Sequence, residues 1–341
     1  MKKTFLITGG AGFIGSSLID RLIFYGEDIN IVCVDNFDPF YSEKFKQNNI
    51  CLHRRMHNYK LYVEDITDYA AMKKIFQTHN ITHIIHLAAK TGARASLEMP
   101  KEYFNTNING TVNMLQLARE FCVEKFIFAS SSSVYGARKD VPFKEDMKIG
   151  KTISPYAASK AAGEQICYTY SYLYGISTVC LRFFSVYGPR QRPDSAIHKF
   201  SRQIVEGKTL QVFGHGKTIR DYTYIDDVNQ GILSAIDYDK SEFEIFNIGE
   251  ARPIKLSSLI ALLEENLGKK AILEKRLLQP GDVPITYADI TKAKELLGYN
   301  PSTTFKRGVK KFIAWFKEFY NYCPSEAGMD KNPKGNSQFS L

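Results

Sequence analysis

The stretch FLITGGAGFIGSSLIDRL, Phe5 to Leu22, decides the fold. A short apolar run ends in three spaced glycines, Gly9, Gly12 and Gly15, and a helical pattern begins at once. Glycines at such a turn let the backbone bend tightly and come close to a pyrophosphate. The helix that follows offers unpaired N–H groups and the positive end of its dipole. The spacing is GxxGxxG, one residue wider in the first turn than GxGxxG. Asp35 closes the next apolar run, 20 residues after Gly15. A carboxylate there can hold an adenosine ribose diol and repels a 2′-phosphate, so NAD is expected rather than NADP. Strand, turn, helix and acid agree, which a stray glycine-rich turn would not produce.

Outward from this stretch, apolar runs alternate with helical patterns. Thr4–Thr8, Ile29–Val34, Lys60–Val63, His83–Leu87, Lys125–Ala129 and Ser177–Arg182 read as buried strands. Gly12–Tyr25, Tyr69–Thr78, Tyr103–Cys122 and Tyr156–Tyr174 read as helices between them. The fold class is α/β, a Rossmann-type doubly wound parallel sheet with a smaller mixed α/β substrate-binding lobe. Residues 1–188 form the dinucleotide-binding domain and residues 189–323 mainly the lobe, with some interleaving of chain. The lobe carries helices near Ala196–Glu206, Asp227–Asp237, Leu256–Leu267 and Phe305–Tyr322, and a strand near Leu210–Phe213. Residues 324–341 are rich in Ser, Asn, Gly, Pro and Lys and read as a disordered tail.

Composition excludes several classes. The 341 residues are 44% hydrophobic and 24% charged, ordinary for a protein with a good core. No apolar stretch is long enough to span a bilayer, and the early glycines break any signal-peptide pattern. A cytoplasmic protein, not a membrane protein, is expected. The net charge of +9 is spread along the chain, which argues against a nucleic-acid binder and suits a phosphate-bearing substrate. Six cysteines form no CxxC pair and read as reduced thiols. Cys51, His53 and His57 lack a fourth ligand, so no metal site is expected. Of His83 and His86, which bracket a strand, one is expected to face the sheet's edge. Asp226 and Asp227 read as caps of the helix they precede, and the aromatic-rich last helix as core packing.

The segment ISPYAASKAAGEQ carries chemistry. Ser154 is a natural N-cap and Pro155 fits the first helical position. Tyr156 and Lys160 then share one helix face near its positive end. A neighbouring ammonium, the dipole and a nicotinamide cation would each favour phenolate, making Tyr156 a general base toward a hydroxyl. The serine cluster Ser130–Ser133 lies at the carboxyl end of a strand, where open α/β sheets bind ligands.

These residues resemble the extended short-chain dehydrogenase/reductase family, over nearly the whole chain to about Tyr322. The resemblance is carried by GGAGFIG, Asp35-Asn36, Asp65-Ile66, HLAA at His86–Ala89, NINGT from Asn107, SSSSVYG, SPYAASK, RFFSVYGPR and RDYTYIDD. It implies catalytic roles for Tyr156, Lys160 and Ser131. It implies a cofactor site of Gly9, Gly12, Phe13, Ile14, Gly15, Asp35, Asn36, Asp65, Ile66, Leu87, Ala88, Ala89, Asn107, Ser130 and Phe183, with Tyr156 and Lys160. It also implies that C4 of a nucleotide-linked sugar loses a proton to Tyr156 and a hydride to NAD, and that two chains pair through helices Tyr103–Cys122 and Tyr156–Tyr174.

A finer resemblance is to the UDP-glucuronate 4-epimerases, in DNFDPFYS at Asp35–Ser42, TGARAS at Thr91–Ser96, VYGPRQRPD at Val186–Asp194 and the segment Leu277–Tyr299. The related 4,6-dehydratases carry an Asp-Glu pair where this chain has Ser132 and Ser133, and the decarboxylases an acid in the same stretch. Their absence leaves epimerisation. Gln279 stands where galactose epimerases often carry a phosphate-binding Arg, which leaves Arg220 as the pyrophosphate clamp. Gln211, Val212 and Phe213 are implied beside uracil and Asp282 beside the nucleotide ribose. Arg94, Ser132, Ser133, Ser185 and Arg192 complete the expected substrate set, with Arg192 the candidate clamp for a sugar carboxylate. Two alternatives stay open: a UDP-glucose or UDP-N-acetylglucosamine 4-epimerase, and a non-catalytic NAD-sensing regulator.

Overall fold

The structure, a computed structural model, describes residues 2–25, 29–277 and 281–322. Gln279 and the expected tail lie outside them. Twelve strands are described: β1 (Lys3–Thr8), β2 (Ile29–Val34), β3 (Tyr59–Tyr62), β4 (His83–His86), β5 (Lys125–Ser131), β6 (Ser177–Phe183), β7 (Ser185–Tyr187), β8 (Thr209–Phe213), β9 (Ile219–Tyr224), β10 (Phe243–Ile248), β11 (Pro253–Lys255) and β12 (Ile272–Arg276). The helices are α1 (Phe13–Leu22), α2 (Glu43–Asn49), α3 (Tyr69–Thr78), α4 (Ala93–Glu98), α5 (Pro100–Phe104), α6 (Gly110–Glu120), α7 (Pro155–Tyr174), α8 (Ala196–Glu206), α9 (Ile225–Ile236), α10 (Leu256–Leu267), α11 (Thr291–Leu297) and α12 (Phe305–Tyr322).

Seven strands form one parallel sheet in the order β10-β6-β5-β4-β1-β2-β3. Its strands are buried on both faces, which is why they read as continuous apolar runs rather than alternating ones. Phe5, Ile7, Ile127 and Val179 point to the face covered by α1, α9 and α11. Leu6, Ile84, Phe126 and Cys180 point to the face covered by α3, α6 and α7. The chain runs outward from β1 to β3, then returns to β4 on the other side of β1. That reversal opens a crevice between the carboxyl ends of β1 and β4, where such sheets bind ligands.

The smaller lobe packs its own core from α8, α10, α12, β8 and β9. Two small sheets edge it, β11-β9-β7 and β12-β8. The chain does not stay on one side of residue 188: β10, from the second half, is the edge strand of the large sheet. No described helix is long and apolar enough to cross a membrane.

Several expectations shift in detail. The expected helix Tyr103–Cys122 is broken: a π-turn at Asn105–Asn109 joins α5 to α6. Both His83 and His86 are buried, so neither faces a wet edge. Burial pushes His86 down to about 3, which keeps it a neutral core histidine between Thr8 and Thr111. Asp226 and Asp227 do not cap α9. Asp226 pairs with Arg21 at 2.8 Å, and Asp227 accepts from the backbone N–H groups of Ser302 and Thr303, tying α9 to the approach to α12. Of the five described cysteines Cys33, Cys167 and Cys180 are buried and Cys51 and Cys122 exposed, all as free thiols. Among the described residues no cluster of ligating side chains would hold a metal.

Candidate active site

One cavity of about 1100 Å³ opens along the carboxyl edge of the large sheet and is roofed by the smaller lobe. At its floor the glycine turn is built by contact. Gly9 has φ +70°, and a Cβ there would lie 2.8 Å from the Ala88 nitrogen. A Cβ on Gly15 would lie 2.5 Å from the Gly9 carbonyl oxygen. No side chain caps the N-terminus of α1, so its first N–H groups face the cavity free for an anion. Asp35 is buried. Its carboxylate accepts from Ala11 N at 3.2 Å and Phe37 N at 2.9 Å, and pairs with Lys46 Nζ at 2.9 Å. Asn36 donates to Asp65 at 2.8 Å. Burial alone would raise the Asp65 carboxyl, but hydrogen bonds from Thr67 and Asn36 bring it below its ordinary value. A pyrophosphate cradle beside a ribose-binding acid fits NAD.

Tyr156 and Lys160 come from the first turns of α7. The Ser154 hydroxyl accepts from Ala157 N at 3.2 Å and Pro155 occupies the first turn, so α7 starts where its sequence demands. Tyr156 and Lys160 both line the cavity. Burial pushes the Tyr156 phenol above its ordinary value, against the sequence expectation; a Ser131 hydrogen bond and the nearby charge of Arg192 pull it back. Lys160 is pushed down to about 8, also by burial, and donates to the Ala129 carbonyl at 2.7 Å. The Ser133 hydroxyl donates to Ser131 at 2.9 Å, which orients the Ser131 hydroxyl.

Behind these groups lies a buried ion pair. Arg182 grips Glu164 through Nε and Nη2, both at 2.8 Å, and the Ser130 hydroxyl donates to the same carboxylate at 2.5 Å. Glu164 follows Lys160 by one helical turn, so the pair anchors the Lys160 face of α7 to β5 and β6.

At the far end Arg220 lines the cavity and donates to the Ile219 carbonyl at 2.9 Å; burial lowers its pKa, and the Asp282 carboxylate works against that. Arg94 pairs with Asp282 at 2.5 Å and lies over the Phe213 ring at 4.4 Å. Arg192 donates to Asp194 through Nε at 2.9 Å and Nη2 at 2.5 Å, and through Nη1 to Thr91 Oγ1. Its guanidinium lies over Phe40 and Tyr41.

Three expected site residues are not on the cavity wall. Asn107 is buried in the π-turn, where it brackets Lys90 through that residue's N–H and carbonyl and donates to Ser159. It shapes the wall from behind. Val212 points into the lobe core while its neighbours Gln211 and Phe213 face the cavity, as strand alternation requires. Ser133 acts through Ser131. The remaining expected residues in the described chain line the cavity. Lys46, Thr91 and Asp194 were not singled out from sequence. For Asp194 a signal was present, an acid two residues from Arg192 across Pro193.

Fold and site together define a dinucleotide-dependent enzyme class acting on nucleotide-linked sugars, the extended short-chain dehydrogenases/reductases. A family model described as GDP-mannose 4,6 dehydratase matches residues 6–312, and the chain belongs to that family. It is 41% identical over 315 residues to a UDP-glucuronate 4-epimerase of Thermodesulfobacterium geofontis, covering 92% of this chain and 96% of that one. It is 39% identical over 337 residues to UDP-glucuronate 4-epimerase 4 of Arabidopsis thaliana, covering 93% of this chain and 76% of that one. Among solved structures, the UDP-glucuronic acid 4-epimerase from Bacillus cereus in complex with UDP-glucuronic acid and NAD superimposes with TM-score 0.87 at 35% identity, over 93% of this chain and all (100%) of that chain.

Proposed function

We propose that this chain catalyses NAD-dependent epimerisation at C4 of UDP-glucuronate, giving UDP-galacturonate through a transient 4-keto sugar. The observation that carries the reading is a single cavity lined by Tyr156, Ser131 and Arg192 together with the glycine cradle and Arg220, in which Ser131 hydrogen-bonds to the Tyr156 phenol and the Arg192 charge reaches it. The relatives named UDP-glucuronate 4-epimerase, and the bound complex from Bacillus cereus, support it.

When bound, the nicotinamide accepts the C4 hydride and returns it, so no cofactor is consumed. The chain's own residues do the rest. Tyr156 takes the O4 proton and later gives it back. Ser131 bridges the phenol and the reacting oxygen. Lys160 sits one helical turn away, where its ammonium favours the phenolate. Arg220 anchors the diphosphate while the keto sugar swings to present its other face. The family model carries a dehydratase name, but Ser132 and Ser133 offer no acid to run an elimination.

A glucuronate adds a hazard. Its 4-keto form is a β-keto acid and loses CO2 when the carboxylate bond aligns with the ketone π system. Arg192, with Ser132 and Ser185 on the same cavity wall, holds the carboxylate out of that alignment. The retained Tyr156 and Lys160 weigh against a purely regulatory role.

The test supplies purified protein with NAD and UDP-glucuronate and separates the products. UDP-galacturonate without net NADH is the expected outcome, and no conversion sinks the proposal. Tyr156→Phe should lose about 10²–10⁴ in rate while retaining NAD. Arg192→Ala should release UDP-xylose or a 4-keto pentose; unchanged turnover and purity would refute the clamp.

The same proposal includes a homodimer through α6 and α7. The outer face of α7 leaves Tyr168 and Tyr172 exposed, Tyr172 by 77%. Light scattering on Tyr172→Lys should read a smaller mass than the parent if this face pairs. It also includes a cytoplasmic setting, where the free thiols stay reduced.

A further inference from the structure

We propose that Asp194 is a positioning residue that decides how strongly, and by which edge, Arg192 grips the sugar carboxylate. This rests on the UDP-glucuronate reading above.

A guanidinium presents two edges that can take a carboxylate with two parallel hydrogen bonds: side-on, through Nε and one Nη, and end-on, through the two Nη atoms. Asp194 occupies the side-on edge, with Nε to Oδ1 at 2.9 Å and Nη2 to Oδ2 at 2.5 Å. Thr91 Oγ1 takes a hydrogen of Nη1. The Phe40 and Tyr41 rings lie 5.5 and 5.8 Å from the guanidinium carbon and cover it. The group is therefore held by four residues from three separate segments, and one Nη1 and one Nη2 hydrogen remain for a ligand. The side-on edge is closed to a substrate carboxylate, which must use the remaining Nη hydrogens.

The second consequence is electrostatic. Arg192 and Asp194 both line the cavity, so the substrate carboxylate meets a pair whose formal charges cancel, not a bare cation. The grip comes from aligned hydrogen bonds with little net attraction between charges. Epimerisation needs that weakness. The keto sugar must leave one orientation and take another in every turnover, and a bare buried guanidinium would stabilise each bound orientation without lowering the barrier between them. Pro193 between the two residues restricts the backbone and keeps the fork closed.

The experiment measures dissociation constants for UDP-glucuronate and UDP-glucose in a Tyr156→Phe background, with and without Asp194→Asn. Asparagine keeps the shape and removes the charge. We expect UDP-glucuronate to bind about tenfold tighter and UDP-glucose to change by less than about twofold. In the Tyr156 protein, kcat and KM for UDP-glucuronate should fall together, with kcat/KM nearly constant. Asp194→Glu, which restores the charge, should recover most of kcat. Weaker binding of UDP-glucuronate, or equal shifts for both sugars, would show that Asp194 only builds the loop and would overturn the proposal. Should Asp194→Asn fail to fold, the Tyr156→Phe protein decides alone. A neutralised clamp prefers UDP-glucuronate over UDP-glucose by less than about tenfold, and a preference above about a hundredfold overturns it. Failure of the functional reading looks different, since the unaltered protein would then not convert UDP-glucuronate.

Discussion

Glu164→Gln is expected to be among the most damaging substitutions of similar shape in the molecule, although Glu164 touches no ligand. The side chain of Glu164 is fully buried and that of Arg182 nearly so. Three hydrogen bonds converge on the carboxylate, two from Arg182 and one from Ser130. Glutamine keeps the volume but carries no charge, and its NH2 end must face either the Arg182 donors or the Ser130 hydroxyl. The guanidinium, which also donates to Tyr135 at 2.9 Å, is left charged in the core without a directly bonded anion, since the nearby Glu145 carboxylate is bonded to Asn247 N instead. Removing one partner of a buried pair costs about 3–5 kcal/mol, a large share of the roughly 5–15 kcal/mol by which folded proteins are stable. At about 2–4 °C per kcal/mol, thermal unfolding should move down by about 6–20 °C. Replacing both residues, with Glu164→Met and Arg182→Met, should recover much of the loss because no lone charge remains. Melting curves of the two variants against the parent measure this. A fall below about 2 °C for Glu164→Gln, or a double variant less stable than the single one by the full increment, would refute the reasoning.

Two further predictions follow from the site. Gly15→Ala would place a Cβ 2.5 Å from the Gly9 carbonyl oxygen and 2.6 Å from the Gly10 Cα. Neither backbone atom can yield without opening the cradle, so NAD affinity measured by titration should fall at least about tenfold; unchanged affinity would show that the turn tolerates widening. Lys160→Met should abolish turnover yet raise the melting temperature at pH 7. Burial depresses the Lys160 ammonium from its ordinary 10.5 to about 8, so its favourable contribution exists only above the ordinary value and is lost as pH falls through about 8. Below that pH the folded state bears the full cost of a buried ammonium, and the methionine removes it. The gain over the parent should shrink as pH rises from 8 toward 10.5, and a gain that does not depend on pH would contradict this account.

The sequence by itself determined the frame. Period, glycine spacing and Asp35 were enough for the doubly wound sheet and its cofactor edge, because a parallel strand buried on both faces and a helix entered through glycine are dictated by neighbouring residues. Ser154 and Pro155 likewise set where α7 starts, and hence which face carries Tyr156 and Lys160. Elements of the smaller lobe were harder to read. β9, which presents Arg220, and β10, which closes the large sheet, take their places from partners distant in the chain. Only tertiary structure decided the rest. Asn107 sits behind the wall because a π-turn, stabilised by Lys90 and Ser159, rotates it inward. Lys46 meets Asp35 because α2 folds back over the strand end. Arg192 is held in place only where Thr91, Phe40, Tyr41 and Asp194 converge on it. Local pattern records what a residue prefers along its own chain, whereas charge, orientation and pKa depend on which other segments pack against it, and no spacing along the chain encodes that.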